Sequence, residues 1–334
     1  MDIDFHFGTI YVLSRWAGFN EENSKIIATS SQFVDDNMDE NPIKKLIYTK
    51  DAAKYDNDDD IIKRYSGHAR WQDLSDEGNK HVWVPYHFLP SLEGNTEEEK
   101  LICKKNSTTA NELALLISDS TLENNNLFKL GIGLHVYADT WAHQEFSGIT
   151  DRDNNIIHNI EVIVPEMDEL EKNEDGTLSE VLDKVKPLGH GSAVHFPDRP
   201  YIKWKSDEKF SEGRANWDEF MEAAQQIYNV LLKYNKGKAE IFSVYQRDVL
   251  LDRFKSTMNE DCEQRNEDWM KYVKNPDNYF GITELSDNDK KISYDKNLIL
   301  DNKDNRINFY KALDEHYNWV KDKLRKAQVS ILED

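Results

Sequence analysis

Cysteine is scarce in this sequence of 334 residues, which contains only Cys103 and Cys262. Two cysteines provide neither a disulfide framework nor a thiolate metal cluster, so any metal would be bound by histidine and carboxylate side chains. Basic residues are also few, because 42 lysines and arginines face 63 aspartates and glutamates and leave a net charge of −21. This charge argues against stable binding of nucleic acid or of an anionic bilayer, since both attract basic surfaces.

Long apolar segments are missing as well. No stretch approaches the ~18 consecutive apolar residues of a transmembrane helix. Residues 1–6, MDIDFH, have neither the basic start nor the apolar run of a signal peptide. We therefore expect a protein without a transmembrane segment that resides in the cytoplasm, or is secreted if a leader has been removed.

The most informative stretch is residues 131–146, GIGLHVYADTWAHQEF. It places His135, Asp139 and His143 four residues apart, and at about 100° per residue three such positions lie within an ~80° stripe of an α-helix. Apolar residues repeat at helical spacing from 127 to 138, and asparagines at 124–126 are candidate N-caps. Two imidazoles and a carboxylate on one face suit a divalent cation such as zinc. The alternative is that they are polar residues of a solvated face.

A single helix cannot complete a coordination sphere, so further ligands must come from other segments. His6 lies in the first turn of a helix predicted over residues 3–18. A second predicted helix begins near residue 20 and ends in Asp35 and Asp36. These adjacent carboxylates are either solvated residues at a helix terminus or oxygen ligands presented to the histidine-bearing helices.

His87 occupies an apolar segment, residues 81–90, that contains prolines at both 85 and 90. Proline disfavours helix around it, so this segment is predicted to be extended or turn-like. A histidine between aromatic residues is either a hydrogen-bonded core residue or a ligand. Tyr86, beside it, and Trp141 on the central helix are candidates for lining a substrate pocket, or else belong to the core.

Residues 188–200, LGHGSAVHFPDRP, form the last candidate segment. His190 is flanked by two glycines, whose backbone freedom permits a close approach to a site. His195 and Asp198 follow within eight positions as further candidate ligands. Arg199 is a candidate for binding a substrate phosphate, or else a local salt-bridge partner of the preceding aspartate.

The pattern as a whole predicts an all-α, multi-helix single domain with long irregular insertions. Residues 1–235 would form a metal-binding catalytic core, because nine of the ten histidines lie within the first 195 residues. Residues 236–334 would be a C-terminal helical extension packed on that core. Apolar residues at helical spacing predict amphipathic helices over 220–231, 241–250 and 310–324. Residues 38–80, 149–186 and 274–302 are polar and are predicted to be irregular.

Five segments together resemble a bacterial family described only as a domain of unknown function. They are listed here as they stand in the sequence: DFH at 4–6, QFVDD at 32–36, PYHF at 85–88, HVYADTWAH at 135–143, and GHG with HFPD between 189 and 198. More distantly, their order of histidines and aspartates is similar to the zinc-dependent phospholipase C and single-strand nuclease superfamily. That resemblance implies a mostly helical fold and a site with two or three zinc ions.

The resemblance also implies roles for individual residues. Asp139 would bridge two metals, one of them completed by His135, His87 and Asp35 or Asp36. His143 and His190, with His195 or Asp198, would hold another metal, and His6 would belong to a third. The sequence departs from that superfamily because it lacks the N-terminal tryptophan whose amine and carbonyl bind metal there. Two metals with Asp2 or Asp4 as an auxiliary ligand are therefore the alternative to three.

The expected function is metal-dependent hydrolysis of a phosphate ester, either a phospholipid or another phosphodiester. Two cations would activate water and stabilise the leaving oxygen. A carboxylate would accept the proton: Asp35 or Asp36, whichever is not a ligand, or Asp198. The alternative is a non-catalytic binding or assembly module that is stabilised by its metal.

Overall fold

The computed structural model describes residues 1–38, 53–56, 59–67, 76–122, 126–163, 193 and 195–332. It is mainly α-helical, as predicted. The N-terminal segment forms a π-helix, Asp4–Thr9, which continues directly into α1. The helices are α1 (Ile10–Trp16), α2 (Glu21–Asp36), α3 (Asp76–Tyr86), α4 (Glu97–Leu101), α5 (Thr108–Ser118), α6 (Leu127–Ala142), α7 (Arg152–Asn155), α8 (Asn216–Lys236), α9 (Val244–Ser256), α10 (Cys262–Val273), α11 (Asn297–Leu300) and α12 (Lys303–Lys326). Within these described ranges, no helix is long and apolar enough to cross a bilayer.

Short antiparallel strands accompany the helices. Strands β1 (Ala53–Asp56) and β2 (Ile61–Arg64) pair as a hairpin, with Asp56 opposite Ile61. Strand β4 (Lys203–Lys205) lies between β3 (Glu161–Ile163) and β5 (Arg214–Ala215). The prediction of irregular chain was therefore wrong at β1, β2 and the start of α3 within 38–80, at β3 and α7 within 149–186, and at α11 within 274–302. Strands of three or four residues carry too little period-2 pattern to be recognised.

The packing of α2 against α6 forms the centre of the molecule. Both helices begin at asparagine N-caps: Asn20 accepts a hydrogen bond from the Asn23 amide at 2.8 Å, and Asn126 accepts from the amides of residues 128 and 129. A Cβ atom on Gly131 of α6 would lie only 2.5 Å from the carbonyl oxygen of Ile27 in α2. The absence of a side chain at Gly131 therefore allows the two backbones to approach closely, and this places the end of α2 beside α6.

Helix α3 overlaps the segment that was predicted to be extended, and this prediction was wrong. Pro85 lies one residue before the helix ends, so the helix loses one backbone hydrogen bond in its last turn and no later turn is disturbed. Alternate residues Val82, Val84 and Tyr86 are buried. After the helix, the amide of His87 donates to the carbonyl of Trp83 at 3.0 Å. This turn carries His87 into the site.

The C-terminal helices share one hydrophobic core with the first 235 residues. The Phe5 ring packs edge-on against Phe220 in α8 at 5.3 Å and lies 6.0 Å from Phe254 in α9. The apolar stripes of α8 and α12 are buried, as predicted. The stripe predicted over 241–250 was wrong: Ile241 is 85% exposed, because it precedes the start of α9. The predicted boundary at residue 235 stays a prediction.

Candidate metal centre

Three helices direct their C-terminal ends towards one buried region. Asp35 lies in the last turn of α2, His87 follows the end of α3, and His143 is the C-cap of α6. The C-terminal end of a helix carries a partial negative charge from its unpaired carbonyl groups, and each such end favours a nearby cation. The backbone arrangement therefore prepares this region for positive charge before any side chain is considered.

Asp139 is the central side chain of the region and is 1% exposed. Its Oδ1 atom lies 2.7 Å from the amino nitrogen of Met1 and 3.1 Å from His6 Nε2. Its Oδ2 atom lies 3.4 Å from both His87 Nδ1 and His135 Nε2. The two oxygens of one carboxylate thus face two different groups of nitrogen donors, which is the arrangement of a carboxylate able to bridge two cations.

Two sets of residues could each hold a metal ion here, because the potential ligand atoms within each set all lie within 4.8 Å of one another. The first set comprises His6, His135 and Asp139, and the second comprises Asp35, His87 and His135. Asp35 Oδ1 is 3.7 Å from both His87 Nδ1 and His135 Nε2. The His6 and His135 rings stack, with centroids 3.9 Å apart. The sets adjoin because His135 belongs to both.

A third corner is formed by His143 and Asp198. His143 Nε2 lies 3.2 Å from Asp198 Oδ1, which is also 3.1 Å from the Met1 amino nitrogen. Asp198 ends a short 3-10 helix, Phe196–Asp198. The buried side chain of Asn216 holds this turn by donating from Nδ2 to the carbonyl oxygens of Phe196 at 2.5 Å and of Arg199 at 2.7 Å. These bonds fix the backbone on both sides of Asp198.

The electrostatics favour metal-binding forms of the histidines. Burial lowers the pKa of His6 to about 4 and that of His135 to about 3, and it also lowers the pKa of His87. All three imidazoles are therefore neutral near pH 7 and have a lone pair available for a metal.

The two central carboxylates shift in opposite directions. Although burial opposes it, the Met1 ammonium group and the surrounding histidines hold the pKa of Asp139 well below its usual range. Burial and the neighbouring Asp139 raise the pKa of Asp35 well above its usual range. A bound cation would offset the repulsion between the carboxylates of Asp35 and Asp139. The ionised form of Asp35 is therefore stabilised by positive charge nearby.

Two of the four buried histidines of this region, His87 and His143, make the hydrogen bonds expected of metal ligands. His87 Nε2 donates to the carbonyl of Ser66, and His143 Nδ1 donates to the carbonyl of His87, both at 2.7 Å. In each ring the other nitrogen then faces the centre with its lone pair, a tautomer-fixing arrangement typical of metal-binding histidines. His6 Nδ1 and His135 Nδ1 are buried without a hydrogen-bond partner in the part of the chain that the structure describes.

The structure brings together seven of the predicted site residues: His6, Asp35, His87, His135, Asp139, His143 and Asp198. His190 lies outside the described residues. His195 is exposed at the start of the 3-10 turn. Asp36 is half-buried beside Tyr294, whose pKa is raised by burial and by this carboxylate.

The predicted pocket-lining aromatic residues lie in the core. Trp141 is fully buried, and its ring contacts Tyr137 edge-on at 4.9 Å. Tyr86 is also fully buried and donates its hydroxyl to the carbonyl of Leu313 at 3.1 Å. Neither ring presents a surface to the solvent, so both have the packing role that was their alternative interpretation.

Sequence reasoning missed two contributors. The amino group of Met1 contacts Asp139 and Asp198, and Arg265 of α10 pairs with Asp2 and Asp4 of the N-terminal segment. Arg265 lies 261 residues from Asp4, and no local pattern in the sequence connects the two. The acidic pair at positions 2 and 4 is the feature of the sequence from which a nearby basic side chain could have been inferred.

A family model described as "Family of unknown function (DUF6765)" matches residues 1–328. No curated protein and no solved structure matches the chain. The match covers the segments on which the sequence-based family resemblance depends, and the resemblance to the phospholipase C superfamily gains no support from it.

Proposed function

The chain belongs to the family of unknown function DUF6765, and from its buried histidine–aspartate centre we propose that it is a metal-dependent hydrolase of phosphate esters. The observation that carries the proposal is the placement of Asp139 between two groups of nitrogen donors: Met1 N and His6 face Oδ1, and His87 and His135 face Oδ2. Two-metal hydrolases use cations about 3.5–4 Å apart, and a bridging carboxylate sets such a spacing.

The residues suit zinc, which accepts imidazole nitrogen and carboxylate oxygen. Asp35, His87, His135 and Asp139 Oδ2 would hold one ion, and His6 with Asp139 Oδ1 would contribute to a second. His143 would contribute to a third. When bound, these ions supply Lewis-acid activation of water and of the phosphoryl oxygens.

The remaining tasks belong to the protein's own side chains. One carboxylate oxygen of Asp198 lies close to His143 and to the Met1 amino group. Apart from Asp35 and Asp139, Asp198 is the described carboxylate best placed to accept the proton of the attacking water. Arg199 follows it in the chain, with a guanidinium 3.5 Å from the exposed carboxylate of Glu260. Because this long ion pair is made only with an exposed carboxylate, Arg199 remains able to donate to a phosphate oxygen of the substrate.

The experiment that tests the proposal combines elemental analysis with hydrolysis of bis(p-nitrophenyl) phosphate and a panel of phospholipids. We expect zinc in the purified protein, and we expect Asp139→Ala and His135→Ala to lose both metal and activity. His158→Ala is the control, because His158 is a surface residue paired with Glu208. An Asp139→Ala protein with full metal stoichiometry would refute the assignment.

A second candidate function is that of a metal-stabilised, non-catalytic module. The observation in its favour is burial, since His6, His135 and Asp139 are almost inaccessible to solvent. Structural zinc sites are closed by protein ligands, whereas catalytic sites keep a position for water or substrate. Bound metal without hydrolysis of any substrate in the panel, and without an exchangeable water on the metal, would favour this candidate.

A further inference from the structure

Arg265, in the first turn of α10, is a fully buried arginine outside the cluster of candidate ligands. Its Nε atom donates to Asp4 Oδ2 at 3.1 Å, and its Nη2 atom donates to Asp2 Oδ2. Both acceptors belong to the N-terminal segment that carries His6. A single guanidinium therefore joins α10 to the two carboxylates that precede this candidate ligand.

The same guanidinium is anchored on its other side to the backbone before α10. Its Nη1 atom donates to the carbonyl oxygens of Asn259 at 2.7 Å and of Glu260 at 3.1 Å. Four of its N–H groups are thus used in directions that a planar guanidinium can satisfy at once and that a lysine ammonium cannot. Burial of the charge is compensated by the paired carboxylates, so removal of either partner would leave an uncompensated charge.

A second contact from the same helix lies beyond His6. Trp269 is four residues after Arg265 and so lies on the same face of α10. A Cβ atom on Gly8 would be 2.7 Å from Trp269 Cδ1, which shows how closely the π-helix and the indole pack. The Trp269 ring in turn stacks on Phe254 with centroids 5.5 Å apart. Helix α10 therefore holds the π-helix on both sides of His6.

We propose that Arg265 is a positioning residue of the metal centre. By fixing Asp2 and Asp4, Arg265 holds His6 Nε2 against Asp139 Oδ1. The π-helix is a wide and intrinsically rare conformation that persists where tertiary contacts maintain it. Without the guanidinium, the repulsion between Asp2 and Asp4 is unopposed and the segment relaxes away from α10. The cation that His6 would help to hold is then bound more weakly. This inference rests on the proposed function, because it presupposes a metal at the centre.

The test is calorimetric titration of the full-length, metal-stripped protein with Zn²⁺, comparing wild type with Arg265→Lys. Replacement of a residue that orients a metal ligand typically weakens binding about 10- to 100-fold, and we expect a loss in this range for one class of site. The matched control is Arg253→Lys, which makes the same substitution in α9. There the guanidinium of Arg253 stacks over the Tyr272 ring at 3.7 Å instead of pairing with the N-terminal segment. Its zinc affinity should equal that of wild type.

A double-mutant cycle with His6→Gln separates positioning from general destabilisation. If Arg265 acts through His6, then Arg265→Lys has no further effect on zinc affinity once His6 is replaced, whereas a purely structural effect adds to that of His6→Gln. Asp2→Asn provides a milder variant that removes one of the two carboxylate charges paired with the guanidinium, should Arg265→Lys fail to fold. It should weaken zinc binding in the same direction.

The possible results distinguish this inference from the proposed function. Wild-type protein that takes up no zinc would overturn the metal centre itself. Wild-type protein that binds zinc, with Arg265→Lys and Asp2→Asn binding equally well, would overturn the role of Arg265 alone. Additive effects in the double-mutant cycle would also overturn it.

Discussion

Replacement of Gly131 by alanine tests whether the packing of α2 on α6 determines the metal centre. The added Cβ atom would lie 2.5 Å from the carbonyl oxygen of Ile27 and 2.7 Å from the Cβ atom of Ser30. Ordinary contacts begin at 3.4 Å. Because the nearest atom belongs to the backbone, no rotamer change relieves the clash. The helices must therefore separate by roughly 0.9 Å, the difference between these two distances, at this point.

The separation has two consequences of different size. Alanine raises helix propensity by about 1 kcal/mol relative to glycine, and overpacking costs about 1–3 kcal/mol, so the free energy of unfolding should fall by only about 1 kcal/mol. The effect on the centre should be larger. Asp35 is two turns further along α2 and lies 3.7 Å from its histidine neighbours on the other elements. Metal–ligand distances tolerate about ±0.2 Å, so zinc affinity should fall about tenfold or more.

Gly133→Ala is the matched control for this experiment. It has the same propensity gain in the same helix, and its Cβ atom would also approach another atom to 2.5 Å. That atom is Cγ2 of Ile117, a side-chain atom on α5, which carries none of the proposed ligands. Urea denaturation and zinc titration of both variants provide the comparison. Equal losses of zinc affinity, or unchanged affinity in Gly131→Ala, would refute the reasoning.

Three further predictions concern stability. Burial lowers the pKa of His316 to about 4, so its neutral form contributes stability that is full above pH 6.5 and is lost as the pH falls towards 4. In urea titrations, His316→Gln should reduce the loss of unfolding free energy between pH 6.5 and pH 4 by about 3 kcal/mol. An unchanged loss over this pH range would contradict the prediction. Asp289→Asn leaves the buried guanidinium of Arg15 without its carboxylate and should cost about 3–5 kcal/mol; a loss below 1 kcal/mol would show that the pair is solvated. Asn216→Ala removes the amide that holds both carbonyls flanking the Asp198 turn and should cost about 1–3 kcal/mol in thermal denaturation, with unaltered stability as the contrary result.

Much of the candidate centre could be predicted from residue type and local spacing. His135 and Asp139 lie on α6, which begins at a predicted N-cap, and His143 is its C-cap; the three are neighbours because helical geometry is local. The position of His87 was harder to predict. Pro85 indicated an extended segment, whereas the packing of apolar side chains produced a helix. Local propensity is a weak prior that tertiary contacts override.

The choice between neighbouring residues could not be made from the sequence. Asp35 and Asp36 are adjacent and chemically identical, and on a helix their side chains diverge by about 100°. Only the packing of α2 against α6 turns Asp35 towards the histidines and leaves Asp36 beside Tyr294. The aromatic residues show the same limit, because Trp141 and Tyr86 suit either a pocket or a core and the structure buries both.

The types of candidate ligand and the mainly helical architecture could be predicted from the amino-acid sequence alone. With two cysteines and a set of histidines near aspartates, any candidate metal ligands had to be nitrogen and oxygen atoms, and the repeat of apolar residues predicted α1, α2, α6, α8 and α12. Tertiary structure alone decided which distant segments meet: the Met1 amino group beside Asp139, and Arg265 against Asp2 and Asp4. The physical reason is that spacing along a helix follows from backbone geometry over a few residues, whereas a contact across more than a hundred residues depends on how the whole core packs.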